Sequence, residues 1–167
     1  KSYYDAAGRK TQVLNAAGQL TTFYYDKVGR LTHRINAEGN VVETNYTLFG
    51  EVKNTTQYAN SLSKTDENVT DRAGAAIPDA LTNAVGVGKR LKGGELTTTF
   101  TSLVTAIKTA AKDRVEAFEY NKLGNVSKKT DPELRGVDYI YNQYGELEKE
   151  ARQVTLNGVR RAVQTGY

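Results

Sequence analysis

Few side chains in this sequence are of the types that catalyse reactions or bind metal ions. His33 is the only histidine and cysteine is absent, so disulfides and thiolate metal sites are excluded. His33 alternates in phase with Leu31 and Ile35, which places all three on one face of a predicted strand. Because no nucleophile motif accompanies His33, a packed or hydrogen-bonded role is favoured over catalysis.

The carboxylates and glycines in suggestive positions have simpler explanations than catalysis. Asp5 and Asp26 occupy equivalent positions in a repeated motif. Two carboxylates that act as an acid–base pair must be held about 5–9 Å apart in a cleft. A role in turn formation already explains both aspartates. Asp131 is similarly explained by a turn after a strand over residues 125–130. Residues 86–91 (GVGKRL) lack the third glycine of a dinucleotide fingerprint and the Gly-Lys-Ser/Thr ending of a phosphate loop. The sequence therefore predicts no catalytic residue, no cofactor, no metal site and no enzymatic activity.

The composition favours many short strands and tight turns. The 167 residues include 11 tyrosines and 15 glycines but only 2 prolines. The net charge is +4 with both signs mixed, and the basic group Lys89, Arg90 and Lys92 is short and without aromatics, so no nucleic-acid partner is predicted. No window approaches the roughly 18 apolar residues of a membrane span. Because the chain begins at Lys1 rather than Met, we expect a piece of a longer protein.

A motif with the pattern Tyr-Asp-x-x-Gly-Arg recurs along the chain. Two copies begin at Tyr4 and Tyr25, 21 residues apart, and three degenerate copies begin at Tyr46, Tyr120 and Tyr141. A second glycine turn lies half-way through each of the first two units, so that turns are alternately 10 and 11 residues apart. This spacing predicts an antiparallel meander of short strands. The predicted structural residues of the motif are Tyr4, Asp5, Gly8, Arg9, Tyr25, Asp26, Gly29, Arg30, Tyr46, Gly50, Tyr120, Gly124, Tyr141 and Gly145.

The residue types of the motif suit a tight turn. Asp or Asn at the first turn position can accept a hydrogen bond from the backbone two residues on, and Gly at the fourth adopts positive φ without strain. Between turns the side chains alternate, with Phe23 and Tyr25 on one face and Thr22 and Tyr24 on the other. Both faces carry aromatic groups, so neither is predicted to be fully exposed. Equal spacing also predicts that the motif tyrosines stack as a ladder on neighbouring strands.

The box from Tyr25 to Leu31, in which an apolar residue follows the arginine, resembles the YD repeat of Rhs proteins, Tc-toxin components and teneurins. The resemblance covers about residues 2–58 and 115–167. It implies that the repeats form a segment of a spiralling, hollow β-shell, which bacterial members use to enclose a C-terminal toxin. The aspartate-rich segment through which some members cleave themselves has no counterpart here, so the protease residues of the family are not carried over.

An insertion interrupts the repeats. Tyr46 and Tyr120 are 74 residues apart, where one period needs 21. The inserted residues 59–114 are predicted to form a polar, glycine-containing loop with a short helix near Ile77, followed by one main helix over about 96–112 with an apolar stripe. The leading interpretation is that this stripe covers an exposed sheet surface or edge. A plug inside a shell and a docking helix for a partner domain remain alternatives.

The predicted fold is therefore mainly β, an antiparallel meander of YD repeats with one inserted helix. Residues 1–58 hold about three repeats, 59–114 the insertion, and 115–167 about two repeats and the start of another, with a type I′ hairpin at Asn157-Gly158.

Two functions are consistent with this fold. The leading function is a structural segment of a toxin-encapsulating shell in a larger secreted or cell-surface bacterial protein, whose partners are other repeats of the same polypeptide and an enclosed toxin domain. The alternative is an adhesion module in which exposed tyrosines bind a carbohydrate or a surface receptor.

Overall fold

The chain is a mainly antiparallel β-meander with one helix in the part that the structure describes, which confirms the predicted fold class. The computed structural model describes residues 1–62, 93–156 and 159–166. The short helix predicted near Ile77 lies outside these ranges. The strands are β1 (Ser2–Tyr4), β2 (Lys10–Leu14), β3 (Leu20–Tyr25), β4 (Leu31–Ile35), β5 (Val41–Tyr46), β6 (Val52–Gln57), β7 (Gly94–Glu95), β8 (Arg114–Tyr120), β9 (Val126–Thr130), β10 (Gly136–Tyr141), β11 (Leu147–Leu156) and β12 (Val159–Gly166). The helix, α1, spans Thr98–Ile107.

The chain divides into two compact units. The first consists of Lys1–Thr44 and Gln57–Asp113, and the second of Asn45–Thr56 and Arg114–Tyr167. The first unit holds β1 to β4, most of β5, β7 and α1. The second holds almost all of β6 and β8 to β12, so the residues that follow the insertion do not share a unit with the first repeats.

Strands β1 to β5 lie side by side in the order of the chain. Gln12 of β2 pairs with Thr22 of β3, which in turn pairs with Ile35 of β4. Because successive strand residues point to opposite faces, Leu20, Thr22 and Tyr24 are all buried on one face of β3. This buried face is the one that the helix covers.

Helix α1 packs on the sheet of the first unit through an aromatic stack. The rings of Tyr24 and Phe100 lie 3.7 Å apart with an interplanar angle of 11°, and the ring of His33 meets Phe100 edge-on at 5.1 Å. The apolar core around this stack consists of Tyr24, Ile35, Val41, Tyr58, Leu62, Phe100, Leu103, Val104 and Ile107. Burying each large apolar side chain contributes roughly 1.5–3 kcal/mol. Packing therefore holds a helix whose many threonines have low helix propensity, and the helix covers a sheet face, as the leading interpretation expects.

Helix α1 is shorter than the predicted range of 96–112. It begins after the N-cap Thr97 and ends at Ile107. The side-chain amide of Asn60 donates a hydrogen bond to the Ile107 carbonyl at 3.2 Å. Because this carbonyl already has a partner from outside the helix, no further helical turn is needed to satisfy it.

The two ends of the insertion are held together by hydrogen bonds among Ala59, Asn60, Thr109 and Asp113, which we call the neck of the insertion. One carboxylate oxygen of Asp113 accepts a hydrogen bond from the N–H of Ala59 at 2.9 Å, and the other accepts one from the N–H of Thr109 at 2.8 Å. Asn60 also donates to the hydroxyl of Thr109 at 2.8 Å. Residues near the two ends of the insertion are thus bonded to each other within the first unit.

The insertion also adds a short strand to the first unit. Strand β7 runs parallel to β3, with Gly94 opposite Tyr24. Just before it, Gly93 lies between β2 and β3, where a Cβ would stand 2.4 Å from the carbonyl oxygen of Thr11 and 2.7 Å from that of Phe23. The φ angle of Gly93 is +68°, so both the space and the backbone conformation require glycine.

Strands β6, β8, β9, β10, β11 and β12 form the sheet of the second unit in that spatial order. Among the residues whose burial is described in this unit, only Gly136 and Ala151 are buried. Strands β11 and β12 pair up to Leu156 opposite Val159, which leaves a two-residue loop between them, the length expected of the predicted hairpin. The loop residues 157–158 themselves lie outside the described part of the chain.

Candidate functional site: the repeat turns and the tyrosines that link them

The motif turns are closed by the residue at their first position. In the second copy, Oδ1 of Asp26 accepts hydrogen bonds from the backbone N–H of Val28 at 3.1 Å and of Arg30 at 2.8 Å. Oδ2 of Asp26 accepts a hydrogen bond from Nε of Arg30 at 2.7 Å. The N–H of Gly29, whose φ is +89°, donates to the Asp26 carbonyl at 3.0 Å. Asp26 and Gly29 thus occupy the turn positions expected from their chemistry. We call the binding of the aspartate by both the backbone N–H and the side chain of the arginine the clamp.

The first copy repeats this clamp with Asp5 and Arg9. Burial would raise the pKa of the Asp5 carboxyl, but hydrogen bonds from the backbone and guanidinium of Arg9, together with its charge, outweigh burial and hold that pKa below its usual value. The pKa of Asp26 is lowered by Arg30 for the same reasons. Both carboxylates are therefore charged acceptors engaged within their own turns.

The degenerate copies keep the turn without the ion pair. Oδ1 of Asn121 accepts hydrogen bonds from the N–H groups of Leu123 at 2.9 Å and Asn125 at 3.0 Å. Asn142 accepts the two equivalent bonds in the last copy. In the third copy the hydroxyl of Thr47 takes the place of the carboxylate, at 3.2 and 3.3 Å. The hydrogen-bonding pattern of the turn therefore survives the loss of the negative charge.

A further turn of this type, between β9 and β10, was not recognised from the sequence as a copy of the clamp. Oδ1 of Asp131 accepts hydrogen bonds from the N–H groups of Glu133 and Arg135 at 2.9 Å, and Oδ2 accepts one from Nε of Arg135 at 2.6 Å. Leu134 occupies the glycine position with φ of +62°. An aspartate four residues before an arginine, as in the first two copies, was the signal that could have identified it.

Motif tyrosines form hydrogen bonds to the preceding repeat through their hydroxyl groups. The Tyr25 hydroxyl donates to the carbonyl of Lys10 at 2.7 Å, and the Tyr141 hydroxyl to the carbonyl of Val126 at 2.8 Å. Lys10 is the strand partner of Tyr4, and Val126 is the strand partner of Tyr120. In both cases the acceptor is therefore the residue opposite the motif tyrosine of the preceding copy. Each such tyrosine is therefore tied to the same point of the repeat before it.

The same link is found on the far side of the insertion. The hydroxyl of Tyr120 donates to the carbonyl of Val52 at 2.8 Å. Burial raises the pKa of Tyr120, and the carboxylate of Glu51 raises it further, so the hydroxyl remains a donor. These links join hydroxyl to carbonyl, which differs from the ring-on-ring ladder predicted from equal spacing. The pairing register shifts at Tyr4, Tyr25, Tyr120 and Tyr141. A register shift of this kind, as in a β-bulge, can re-aim a side chain.

The clamp of the first copy also contacts the tyrosine of the second. The guanidinium of Arg9 lies over the ring of Tyr25, 5.2 Å from its centroid, while Asp5 holds the same guanidinium at 2.7 Å. A contact of this kind stabilises by about 0.5–1 kcal/mol at an exposed site. The structure therefore brings together Asp5, Arg9 and Tyr25 of the predicted residues, whereas the ring of Tyr4 is 60% exposed.

A polar cluster beneath α1 was not predicted from the sequence. Nε2 of His33 lies 3.8 Å from one carboxylate oxygen of Glu43, and Nζ of Lys108 lies 3.7 Å from the other, which also accepts a hydrogen bond from the hydroxyl of Tyr58. Burial lowers the pKa of His33 to about 4, Glu43 opposes this shift and Lys108 adds to it. His33 is therefore a buried, neutral side chain at neutral pH.

No group of three or more metal-ligating side chains occurs in the described ranges. Within the same ranges, no helix has the length and hydropathy needed to cross a membrane.

The repeated turns have a counterpart among known sequence families. Residues 4–41 match the family model of the RHS repeat. Residues 4–41 carry RHS repeats. The matched segment holds both complete copies of the motif, and the predicted family is thus confirmed where the RHS repeat is best preserved. No curated protein matches the chain.

Solved structures of toxin complexes are similar to this chain. The crystal structure of TcdB2-TccC3-TEV is 12% identical with a TM-score of 0.47, and the match covers 99% of this chain and 8% of that one. A Photorhabdus luminescens Tc holotoxin pore is 12% identical with a TM-score of 0.48, covering 99% and 8%. TcdB2-TccC3 without its hypervariable C-terminal region is 12% identical with a TM-score of 0.46, covering 97% and 8%. The chain spans about 8% of the length of these structures.

Proposed function

We propose that this chain is a wall segment of a β-shell built from RHS repeats, that the shell belongs to a larger secreted or cell-surface bacterial protein, and that it encloses a toxin payload. The observation that carries the proposal is the hydrogen bond from Tyr120 to Val52. It repeats, across the insertion, the link that joins Tyr141 to Val126. A wall of repeats requires each unit to hold the next, and these links supply that continuity.

The proposal assigns no catalytic residue. Asp5 and Asp26 are each bound by the arginine of their own turn. His33 is buried beside Phe100, beneath the helix. The carboxylates and the histidine that catalysis would need are thus engaged in the fold, which supports a structural role.

The division into repeats over 1–58, an insertion over 59–114 and further repeats over 115–167 is part of this proposal. It is supported by the closed neck of the insertion, where Asp113 binds Ala59 and Thr109. In this organisation the described helix of the insertion, α1, covers one face of the first-unit sheet.

The adhesion alternative is less well supported by the geometry. Tyrosine platforms bind ligands through an accessible ring and a free hydroxyl. In this sheet the hydroxyls of Tyr25, Tyr120 and Tyr141 already donate to backbone carbonyls of neighbouring repeats. The hydroxyls of these three tyrosines are therefore engaged in bonds between repeats, which supports the wall over the platform.

Electron microscopy and limited proteolysis of the intact parent protein test this function. We expect a hollow particle in which an enclosed segment resists a protease that cleaves the same segment after denaturation. The double variant Tyr120→Phe/Tyr141→Phe should speed cleavage, whereas Tyr144→Phe, which alters a side chain that is 79% exposed at a turn tip, should not. An extended string of repeats with no protected segment would rule out the shell.

A further inference from the structure

Strand β7 occupies a fork between β2 and β3 in the first unit. The pairing of β2 with β3 ends at Thr22. Beyond that point Tyr24 and Tyr25 pair with β4 along one edge of β3, so β7 lies along the other edge, the one that faces β2. The N–H of Leu96 then donates to the carbonyl of Tyr25 at 3.1 Å. A segment of the insertion thus adds a parallel strand at the point where two repeats separate.

Strand β8 of the second unit repeats the arrangement of β3. Phe118 lies opposite Lys129 of β9 as Phe23 lies opposite Arg34 of β4, and both registers shift at the motif tyrosine. In both places the hydroxyl of the motif tyrosine donates to a carbonyl of the strand on the other side, which is β2 for the first and β6 for the second. The edge of β8 that faces β6 is therefore equivalent to the edge of β3 that binds β7.

An open cleft lies at this equivalent edge in the described part of the chain. It has a volume of about 760 Å³. Its walls come from β6, from the end of β8 and from the two adjoining motif turns, and they include Lys53, Phe118, Glu119 and Tyr120. Lys53 and Phe118 occupy the positions equivalent to the two that flank Gly93 in the first unit. The cleft is thus the counterpart of the place that β7 fills.

We propose that this cleft binds an extended segment with two adjacent glycines, which is supplied by an insertion in another stretch of RHS repeats of the same polypeptide and adds a strand parallel to β8. The occupant follows from the first unit, where the segment in the equivalent place belongs to an insertion and contains Gly93 and Gly94. The inference rests on the proposed function, because it needs repeats beyond those of this chain.

The geometry of β7 explains why glycine is required of the occupant. A Cβ at Gly93 would stand within 3 Å of strand carbonyl oxygens on both sides. Gly93 and Gly94 also have positive φ angles of +68° and +92°, which other residues adopt only with strain. Addition of a strand to a sheet edge gains affinity from backbone hydrogen bonds, and the carbonyl of Tyr120 is the counterpart of the Tyr25 carbonyl that Leu96 binds.

Disulfide exchange with a short peptide tests the cleft, because the register predicts which positions meet. Since Gly94 lies opposite Tyr24 in parallel strands, the peptide KGGELC, residues 92–96 followed by cysteine, should place its thiol opposite Lys122. The chain has no cysteine, so Lys122→Cys introduces a single exposed thiol at the cleft. In excess 2-mercaptoethanol, we expect KGGELC to form the mixed disulfide with an equilibrium constant at least about tenfold larger than KAAELC does.

The matched control is Lys27→Cys, which places a thiol at the same exposed position of the turn after β3. Because β7 already fills the fork beside β3, this variant should not prefer either peptide. The peptide CKGGEL is a control for direction, since a parallel strand carries its thiol away from Lys122, and it should exchange no better than KAAELC. Circular dichroism of both variants establishes that they keep the parent fold.

Three results would overturn the strand-binding cleft: equal exchange of KGGELC and KAAELC at Lys122→Cys, the same preference for KGGELC at Lys27→Cys, or exchange of CKGGEL as strong as that of KGGELC. The proposed shell fails separately. A hollow particle seen by microscopy, together with no peptide preference at Lys122→Cys, would refute only the cleft. A preference at Lys122→Cys alone, in a parent protein without a hollow particle, would refute only the shell.

Discussion

The hydroxyl of Tyr120 donates a hydrogen bond to the backbone carbonyl of Val52 over 2.8 Å, although 68 residues of sequence separate them. The equivalent bond from Tyr141 to Val126 spans only 15 residues. The geometry of the link is thus independent of the length of chain between repeats. Lengthening a loop costs little, because closure entropy grows only with the logarithm of its length, and the contacts of Asp113 hold the ends of the insertion together.

We expect Tyr120→Phe to lower the free energy of unfolding by about 0.5–1.5 kcal/mol, the usual net contribution of one hydrogen bond. Tyr141→Phe should lower it by a similar amount, because the two bonds are equivalent. Urea unfolding measures both. Tyr144→Phe is the control, and its exposed hydroxyl should matter by less than about 0.5 kcal/mol. If all three variants behave alike, the hydroxyl links do not contribute to stability.

Two adjacent tyrosines of β3 should differ in their contribution to stability. Tyr24 is 4% exposed and stacks on Phe100, so Tyr24→Ala should cost about 3–5 kcal/mol, as large aromatic truncations do. Tyr25, the motif residue, is half-buried on the other face, and Tyr25→Ala should cost about 1–3 kcal/mol. Thermal or urea unfolding of the two variants gives the comparison, and a larger loss for Tyr25→Ala would contradict the observed burial.

Leu134→Gly should stabilise the protein by about 1 kcal/mol. The left-handed conformation of Leu134, with φ of +62°, costs a residue with a β-carbon roughly 1–2 kcal/mol, and the greater freedom of glycine in the unfolded chain offsets part of the gain. The reciprocal variant Gly124→Leu, at φ of +81° in a motif turn, should destabilise. Chemical denaturation of both tests the assignment, which a destabilising Leu134→Gly would refute.

Acidification should destabilise the first unit through His33. The ordinary histidine pKa of 6.5 falls to about 4 in the folded chain, chiefly by burial. Between these values the unfolded state binds a proton that the folded state does not, so stability falls as the pH drops below 6.5 and this loss levels off below about 4. The slope should not exceed about 1.4 kcal/mol per pH unit for one group.

The control for this pH dependence is His33→Gln, which removes the titrating ring from the side of Glu43 and Lys108. Its unfolding free energy should be nearly flat between pH 6.5 and 4.5. Loss of the Asp5 and Asp26 clamps follows at lower pH, because the pKa values of both carboxyls are lowered. A parent and a variant with the same slope would show that His33 is not the group responsible.

Much of the turn architecture could be predicted from residue types alone. Asp26 and Gly29 have local roles, since an aspartate closes a turn on its own backbone and a glycine adopts positive φ whatever surrounds it. The 21-residue period then predicts the meander, because regularly spaced turns imply short strands of similar length. The alternation along β3 likewise separates Tyr24 from Tyr25, although it does not say which face the helix covers.

The remaining features depend on contacts between residues distant in sequence. Helix α1 ends at Ile107 because Asn60, from the other end of the insertion, binds its carbonyl. The charge state of His33 depends on burial beneath Phe100.

The sequence by itself determined the turns, their period and the alternation of strand faces, because these depend on interactions within a few residues. Only the tertiary structure decided that Tyr120 binds Val52 through its hydroxyl, and that helix α1 ends at Ile107. Those outcomes depend on bulges, pairing registers and packing, in which the favoured conformation of one residue is set by partners far along the chain.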